Sequence, residues 1–332
     1  MLLRRLSATF ALLVVAAALV VAAPARPAHA DPEGGTKELR DALESASKGY
    51  VDAKNKLAAS QKRQKQLQIT LTQATADAKK LAGQVAAIAA RSYREGRFNT
   101  ISMLLNASSP DVFLERAYRL DMIALLDAQT LTRYRDEVTI AQRAKQAIDL
   151  EVKEQQKQVK VMANKKKQAE AALASAGGGT STSGFSGGSA TAKPAPRDSD
   201  GSWPKESCSI NDPTSGGCIT PRMYNVYLQA RAAGFTHYTV CWSQRSSGEH
   251  PLGRACDFSA NATTFTEYAA TGSDKYYGDR LAAWAVRNAD RLGIMYVIWY
   301  RQIWLPSSGW KSYSGSGSAS ASHTNHVHVS VF

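Results

Sequence analysis

The sequence predicts an α+β protein, a long antiparallel α-helical coiled-coil hairpin followed by a small antiparallel-sheet domain. Three observations carry that expectation. A seven-residue apolar repeat runs over residues 39–88, and a weaker one follows it. A stretch almost free of large apolar side chains, 174–205, then interrupts the pattern. Beyond it lie all four cysteines, five of the six histidines, and short β-rich runs punctuated by Gly and Pro.

The N-terminus reads as a signal peptide spanning residues 1–30. Arg4 and Arg5 open it, Phe10 to Ala23 is an apolar run of 14 residues, and Ala28-His29-Ala30 is a small-x-small cleavage site. An uncleaved anchor would need about 20 apolar residues. The paired arginines also permit a twin-arginine export route. The mature chain is expected to start at Asp31 and to be secreted.

Residues 36–174 form the expected hairpin. Leu39, Leu43, Ala46, Tyr50, Ala53, Leu57, Leu67, Leu71, Ala74, Ala78, Leu81, Val85 and Ile88 hold a 4,3 spacing with only Ser60 and Gln64 polar. A repeat of this length specifies a coiled coil, roughly 75 Å long at about 1.5 Å per residue. The second frame, from Phe113 to Leu173, carries Asp127, Lys145, Gln155 and Lys166 at core positions. Two helices of similar length joined by a short break fold back on each other, with a parallel dimer of rods as the competing arrangement.

Between them, Ser109-Pro110-Asp111 is a helix-start signal. The neighbouring Phe98, Ile101, Met103, Leu104, Leu105, Val112, Phe113 and Leu114 are many apolar residues for a hairpin tip. They form either a local core capping the rod or an exposed patch for a membrane-protein partner. The net charge of +13 sits mainly here: residues 36–173 hold 25 Lys/Arg against 16 Asp/Glu. On an exported protein such a surface meets anionic wall polymers or lipid headgroups, and no nucleic acid is expected as partner.

Residues 175–205 read as a flexible Gly/Ser/Pro linker. Residues 206–332 are then one compact domain. Thr220-Pro221 opens a helix that Gly234 ends, and Asp279–Leu292 is a helix closed by Gly293. Strands are expected at 238–242, 254–258, 294–300 and 326–332, with a flexible loop over 312–322. In an oxidising compartment Cys208, Cys218, Cys241 and Cys256 predict two disulfides. Of three connectivities, Cys208–Cys218 across a Gly-rich turn with Cys241–Cys256 between strands is favoured over the others. A cysteine zinc site lacks any closely spaced Cys pair.

The chemistry concentrates in two clusters. His250 and Asp257 flank the Pro251-Leu252-Gly253 turn, and His323, His326 and His328 nearly close the chain. In a strand Val327, Val329 and Val331 take one face and His326 and His328 the other, which leaves both imidazoles on an open surface. Two His and one Asp with an open fourth position is how a catalytic zinc is held. Trp299, Tyr300, Trp304 and Trp310 either floor a substrate groove or pack the sheet.

The run Ser247-Gly-Glu-His250-Pro-Leu-Gly-Arg-Ala-Cys256-Asp257-Phe258 resembles the His-x6-Asp signature of the D-Ala-D-Ala metallopeptidases. His326-Val327-His328 resembles the His-x-His signature of the wider LAS metallopeptidases. The resemblance covers 206–332 and implies a zinc metallopeptidase-like domain with His250, Asp257 and His328 as metal ligands. By the same resemblance His326 is the base or transition-state stabiliser, Arg245 steadies substrate or oxyanion, and His323 is an additional active-site histidine. The carboxypeptidase branch keeps a catalytic Glu where this chain has Asn325. Glu249 supports a ligand or is a plain loop carboxylate. Residues 89–126, with Tyr93-Arg-x-Gly-Arg-Phe98 and Ser109-Pro-Asp-Val-Phe-Leu-Glu-Arg116, resemble the coiled coils of exported Gram-positive peptidoglycan hydrolases. In those families the coil restrains the enzyme and docks to a division-associated membrane complex, here through residues 96–126.

The expectation is therefore a secreted, cell-wall-associated zinc peptidase that cuts peptidoglycan stem peptides. An inactive peptidoglycan-binding adaptor and a purely structural spacer are the alternatives.

Overall fold

The computed structural model describes residues 37–245, 248–314 and 317–332. The expected signal peptide lies outside them, as do Ser247 and the side chain of Phe98. The chain is mixed α and β: long helices first, an antiparallel sheet at the C-terminal end.

Helix α1 (Lys37–Leu105) and helix α2 (Pro110–Ser175) form the hairpin. Polar pairs fix its antiparallel register. Ser60 Oγ donates to Glu151 Oε2 at 2.6 Å, Gln155 Nε2 donates to Gln64 Oε1 at 2.8 Å, and Arg91 pairs with Asp127 further out. Gln64 and Gln155, polar interruptions of the two heptad frames, thus face one another, and a slip by one turn would strand all three pairs. Ser109 caps α2, its hydroxyl accepting from the Val112 amide at 3.3 Å, with Pro110 at the first helical position. α1 kinks once, at Gly96, where φ is 58°. Among the described residues no local apolar core forms at the tip. Ile101 is 54% exposed, Leu105 76% and Leu114 65%.

The C-terminal domain begins with a two-stranded ribbon, β1 (Ile210–Asn211) and β2 (Cys218–Ile219), closed by the Cys208–Cys218 disulfide. Helix α3 (Pro221–Ala232) follows, capped by Thr220. Strands β3 (Thr239–Val240) and β4 (Ala255–Ser259) come next, with the Cys241–Cys256 disulfide beside them. Helix α4 (Gly272–Arg287) starts seven residues before the expected Asp279, because its first turns are exposed and show no apolar period. A short α5 (Ala289–Leu292) ends at left-handed Gly293. Strands β5 (Ile294–Trp299), β6 (Gln302–Leu305), β7 (Gly309–Ser312) and β8 (His326–Val331) complete a six-stranded antiparallel sheet, ordered β3-β4-β8-β5-β6-β7.

One face of the sheet packs on the helices. Val327, Val329, Val331, Val297 and Phe258 join Met223, Leu281 and Trp284 in a core. On the opposite face Tyr296, Ile298 and Ile303 pack with Leu39, Leu43 and Ala46 of α1 and Ala169 and Leu173 of α2. The base of the coiled coil is thus seated on the sheet.

Residues 178–205 are not a free tether. Ser181 bridges Lys311 at the edge of β7, Phe185 meets Trp310 edge-on at 5.0 Å, and Ala192 and Ala195 are buried. Asn288 holds this strap, accepting from the Ala192 amide at 2.9 Å and donating to the Ala190 carbonyl at 3.1 Å. Small side chains and glycines let the backbone lie flat against the domain. Composition that reads as flexibility serves close approach here.

Candidate metal centre

Antiparallel register sets Asp257 of β4 directly opposite His328 of β8, so both side chains leave the sheet on one face. His250 is brought to them by the Glu249–Gly253 turn, in which the Gly253 amide donates to the His250 carbonyl at 3.0 Å. Gly253 is required there. Its φ is +67°, and a Cβ would stand 2.7 Å from the Cys218 carbonyl oxygen. Arg254 then ties the turn, donating to Glu249 Oε2 at 2.6 Å.

His250, Asp257 and His328 converge, each offering one ligand atom within 4.8 Å of the others. His250 Nε2 lies 3.1 Å from Asp257 Oδ1 and 3.3 Å from His328 Nδ1, and His328 Nδ1 lies 2.8 Å from the same oxygen. The backs of the rings are held too. His250 Nδ1 donates to the Cys241 carbonyl, and His328 Nε2 bonds Ser330 Oγ at 2.7 Å. These supports bear on whether a cation fits. With Nδ1 committed to the Cys241 carbonyl, His250 turns its Nε2 toward Asp257 Oδ1, so the ring is fixed with one nitrogen aimed at the cluster. Around a tetrahedral ion with bonds of about 2.0–2.1 Å, donor atoms stand roughly 3.3 Å apart, close to the spacing here. The donor set fits a metal ion.

Three further groups surround it. Arg245 donates from Nη2 to Asp257 Oδ2 at 3.0 Å, leaving a buried Nη1 without a hydrogen-bond partner. His326 Nε2 is 3.4 Å from Asp257 Oδ1 and is likewise unpaired, while its Nδ1 lies 2.7 Å from Asn325 Oδ1. His323 packs its ring 4.8 Å from that of His326, with φ of +50° and both ring nitrogens unpaired. Every sequence-predicted site residue except the disulfide cysteines therefore gathers within one cluster, and Cys241 contributes its backbone carbonyl. Sequence reasoning missed Ser330, although its i+2 spacing puts it on the face of His328. It also missed Tyr296, whose ring stacks on His328 at 5.5 Å.

The cluster is buried, not open. His326 is 2% exposed and His328 0%: Tyr296 stacks on His328, Phe265 meets His326 edge-on and Tyr313 meets His323, and the two tyrosines pack in turn with Leu39 and Leu43 of α1. Of the two readings of the aromatics, the packing one holds. Trp299 is in the core with its indole donating to Asp279 Oδ1 at 2.9 Å, and Tyr300 donates to the Ala270 carbonyl at 3.0 Å.

Burial governs the proton affinities. It pushes His326 down to about 4, with Asp257 opposing the fall and His328 and His250 adding to it. Burial likewise lowers His323 well below the ordinary imidazole value, helped by His326 and His328. For Asp257 burial alone would raise the pKa, but His250 and His326, with hydrogen bonds from His250 and His328, hold it well below the carboxylate range. At neutral pH Asp257 is thus a carboxylate, the form that binds metal, with His323 and His326 neutral beside it.

The fold and cluster define an α+β domain with a buried His-Asp-His centre able to hold a metal ion, in a chain whose two disulfides mark an oxidising environment. A family model described as VldE, C-terminal domain, matches residues 215–324, which takes in His250 and Asp257 and stops short of His326 and His328. No curated protein matches the chain, and no solved structure does.

Proposed function

We propose that this chain is an exported, cell-wall-associated zinc peptidase that hydrolyses a peptide bond in peptidoglycan and is held in check by its own coiled coil. The observation that carries the reading is the convergence of His250 Nε2, Asp257 Oδ1 and His328 Nδ1, with an unpaired His326 nitrogen beside them. His250, Asp257 and His328 would hold the zinc, which supplies Lewis acidity and lowers the pKa of water toward roughly 7. The residues supply the rest. Neutral His326 accepts a proton at Nε2 and returns it to the departing amine. Arg245 Nη1 and His323 are the unpaired groups placed to receive a developing oxyanion. The desolvated setting strengthens each of these interactions.

Restraint is supported by the seating of α1. Leu39, Arg40 and Leu43 cover the tyrosines that lie on the cluster, and Glu44 of α1 pairs with Arg254 of the metal turn at 2.9 Å. The exposed apolar tip, including Ile101, Leu105 and Leu114, is then where a membrane-complex partner would act. Among the described residues no helix is long and apolar enough to cross a membrane.

The test is the whole zinc-loaded chain carrying Leu43→Glu, incubated with purified peptidoglycan and analysed by mass spectrometry beside Leu43→Glu/Asp257→Ala. New peptide ends that vanish in the double variant support the peptidase and name its bond. A folded, zinc-bearing Leu43→Glu chain that sediments with peptidoglycan but cuts nothing would instead favour an inactive binding module, the reading suggested by Asn325 at the position of the carboxypeptidase Glu.

A further inference from the structure

We propose that Asn325 is a positioning residue that fixes the His326 ring with its proton on Nδ1 and its Nε2 lone pair turned into the metal cluster. The argument rests on hydrogen-bond polarity. Asn325 is fully buried, and its Nδ2 donates to the Thr266 carbonyl at 2.5 Å and to Ser320 Oγ at 2.9 Å. A carbonyl only accepts, so this contact identifies the amide nitrogen and fixes the orientation of the side chain. The other end, Oδ1, is the atom 2.7 Å from His326 Nδ1. An amide oxygen only accepts as well, so Nδ1 must donate. A neutral imidazole has one N–H, and Nε2 is therefore bare. That nitrogen faces Asp257 Oδ1 at 3.4 Å without a hydrogen-bond partner.

Asn325 thus does not fill the place of a missing carboxylate base. Its amide lies behind His326, and it makes His326 the acceptor. It also ties together the two loops beside the cluster, through Thr266 and Ser320, while its own carbonyl accepts from the Ala260 amide at 2.9 Å. A carboxylate here would set a second acceptor against the Thr266 carbonyl, so the amide is the group that satisfies both sides.

The consequence for catalysis rests on the peptidase reading, but the tautomer can be read without turnover. In the whole zinc-loaded chain labelled with 15N-histidine, long-range 1H–15N spectra should show His326 protonated on Nδ1 and bare on Nε2. Asn325→Leu keeps the volume and removes the acceptor. It should abolish this preference and, in the Leu43→Glu background, lower kcat about 10–100-fold with KM and zinc content unchanged. Asn325→Asp restores an acceptor and should recover the Nδ1-protonated form and part of the rate. If Asn325→Leu fails to fold, the wild-type and Asp spectra still decide the matter. An Nε2-protonated His326 in the wild type, or an Asn325→Leu chain with unchanged tautomer and rate, overturns the proposal. A wild-type chain with the expected tautomer whose Leu43→Glu form cuts no peptidoglycan would overturn the peptidase reading and leave the positioning role standing.

Discussion

At the scale of single residues, the cluster joins a carboxylate to imidazoles in a space that excludes water. Asp257 is the common partner, since His250, His326, His328 and Arg245 all meet one of its oxygens. Asp257→Ala should therefore remove more than one ligand's share of affinity, lowering zinc content at least about 100-fold by competition with a chelator. Retention of stoichiometric zinc by that variant would sink the assignment. Acid sensitivity follows from the same burial. His326 and Asp257 are both depressed in the folded state, so each contributes stability that is full above its unfolded pKa and is lost as pH falls toward its folded one. For His326 the window runs from the ordinary value near 6.5 to about 4, and at roughly 1.4 kcal/mol per pH unit this is about 3 kcal/mol. The melting temperature of the metal-free chain should drop across that window, and His326→Gln should flatten the slope. A level profile from pH 6.5 to 4 would refute it.

Elements place these residues, and they differ in how far the sequence exposes them. The heptad period is local, so α1 and α2 were readable. Ser60 and Gln64, read only as flaws in the repeat, are the partners of Glu151 and Gln155 that lock its register. The His-x-His alternation was legible because strand period decides which side chains share a face. Its burial was not, because the cover comes from Leu39 and Leu43, far away in sequence. The strap was misread for a related reason. Composition reports how many conformations a free chain has, not whether a groove awaits it. Asn288 supplies that docking, so Asn288→Ala should free the strap and speed tryptic cleavage after Arg197 several-fold. Equal cleavage rates would show that the strap is held by other contacts. The metal turn makes a sharper demand. Gly253→Ala adds a Cβ 2.7 Å from backbone of the neighbouring ribbon at a positive φ. It should cost about 2–4 kcal/mol and displace His250, read as a lower melting temperature together with weaker zinc retention.

For the whole molecule the question is what keeps the coil on the sheet, since on the proposed reading that contact sets when the site is reachable. Two kinds of force act. Glu44–Arg254 at 2.9 Å, Glu170–Lys311 at 3.7 Å and Lys54–Asp290 at 3.7 Å join coil to domain. Pairs of this exposure contribute about 0–1 kcal/mol each and weaken as salt is added. Against them stand Leu39, Leu43 and Leu173, buried with Tyr296, Ile298 and Ile303. Each buried leucine is worth about 1.5–3 kcal/mol, so the apolar seat outweighs the ion pairs. High salt strengthens burial where it screens charge. Raising sodium chloride to about 1 M should therefore leave the coil in place, whereas Leu43→Glu, which forces a carboxylate into the seat, should lift it. Hydrogen exchange on β5 reads the difference. Its amides should exchange faster in Leu43→Glu and stay protected in the wild type at either salt concentration. If salt alone deprotects β5, the seat is electrostatic, and release by a charged partner would replace release by pulling on the apolar tip.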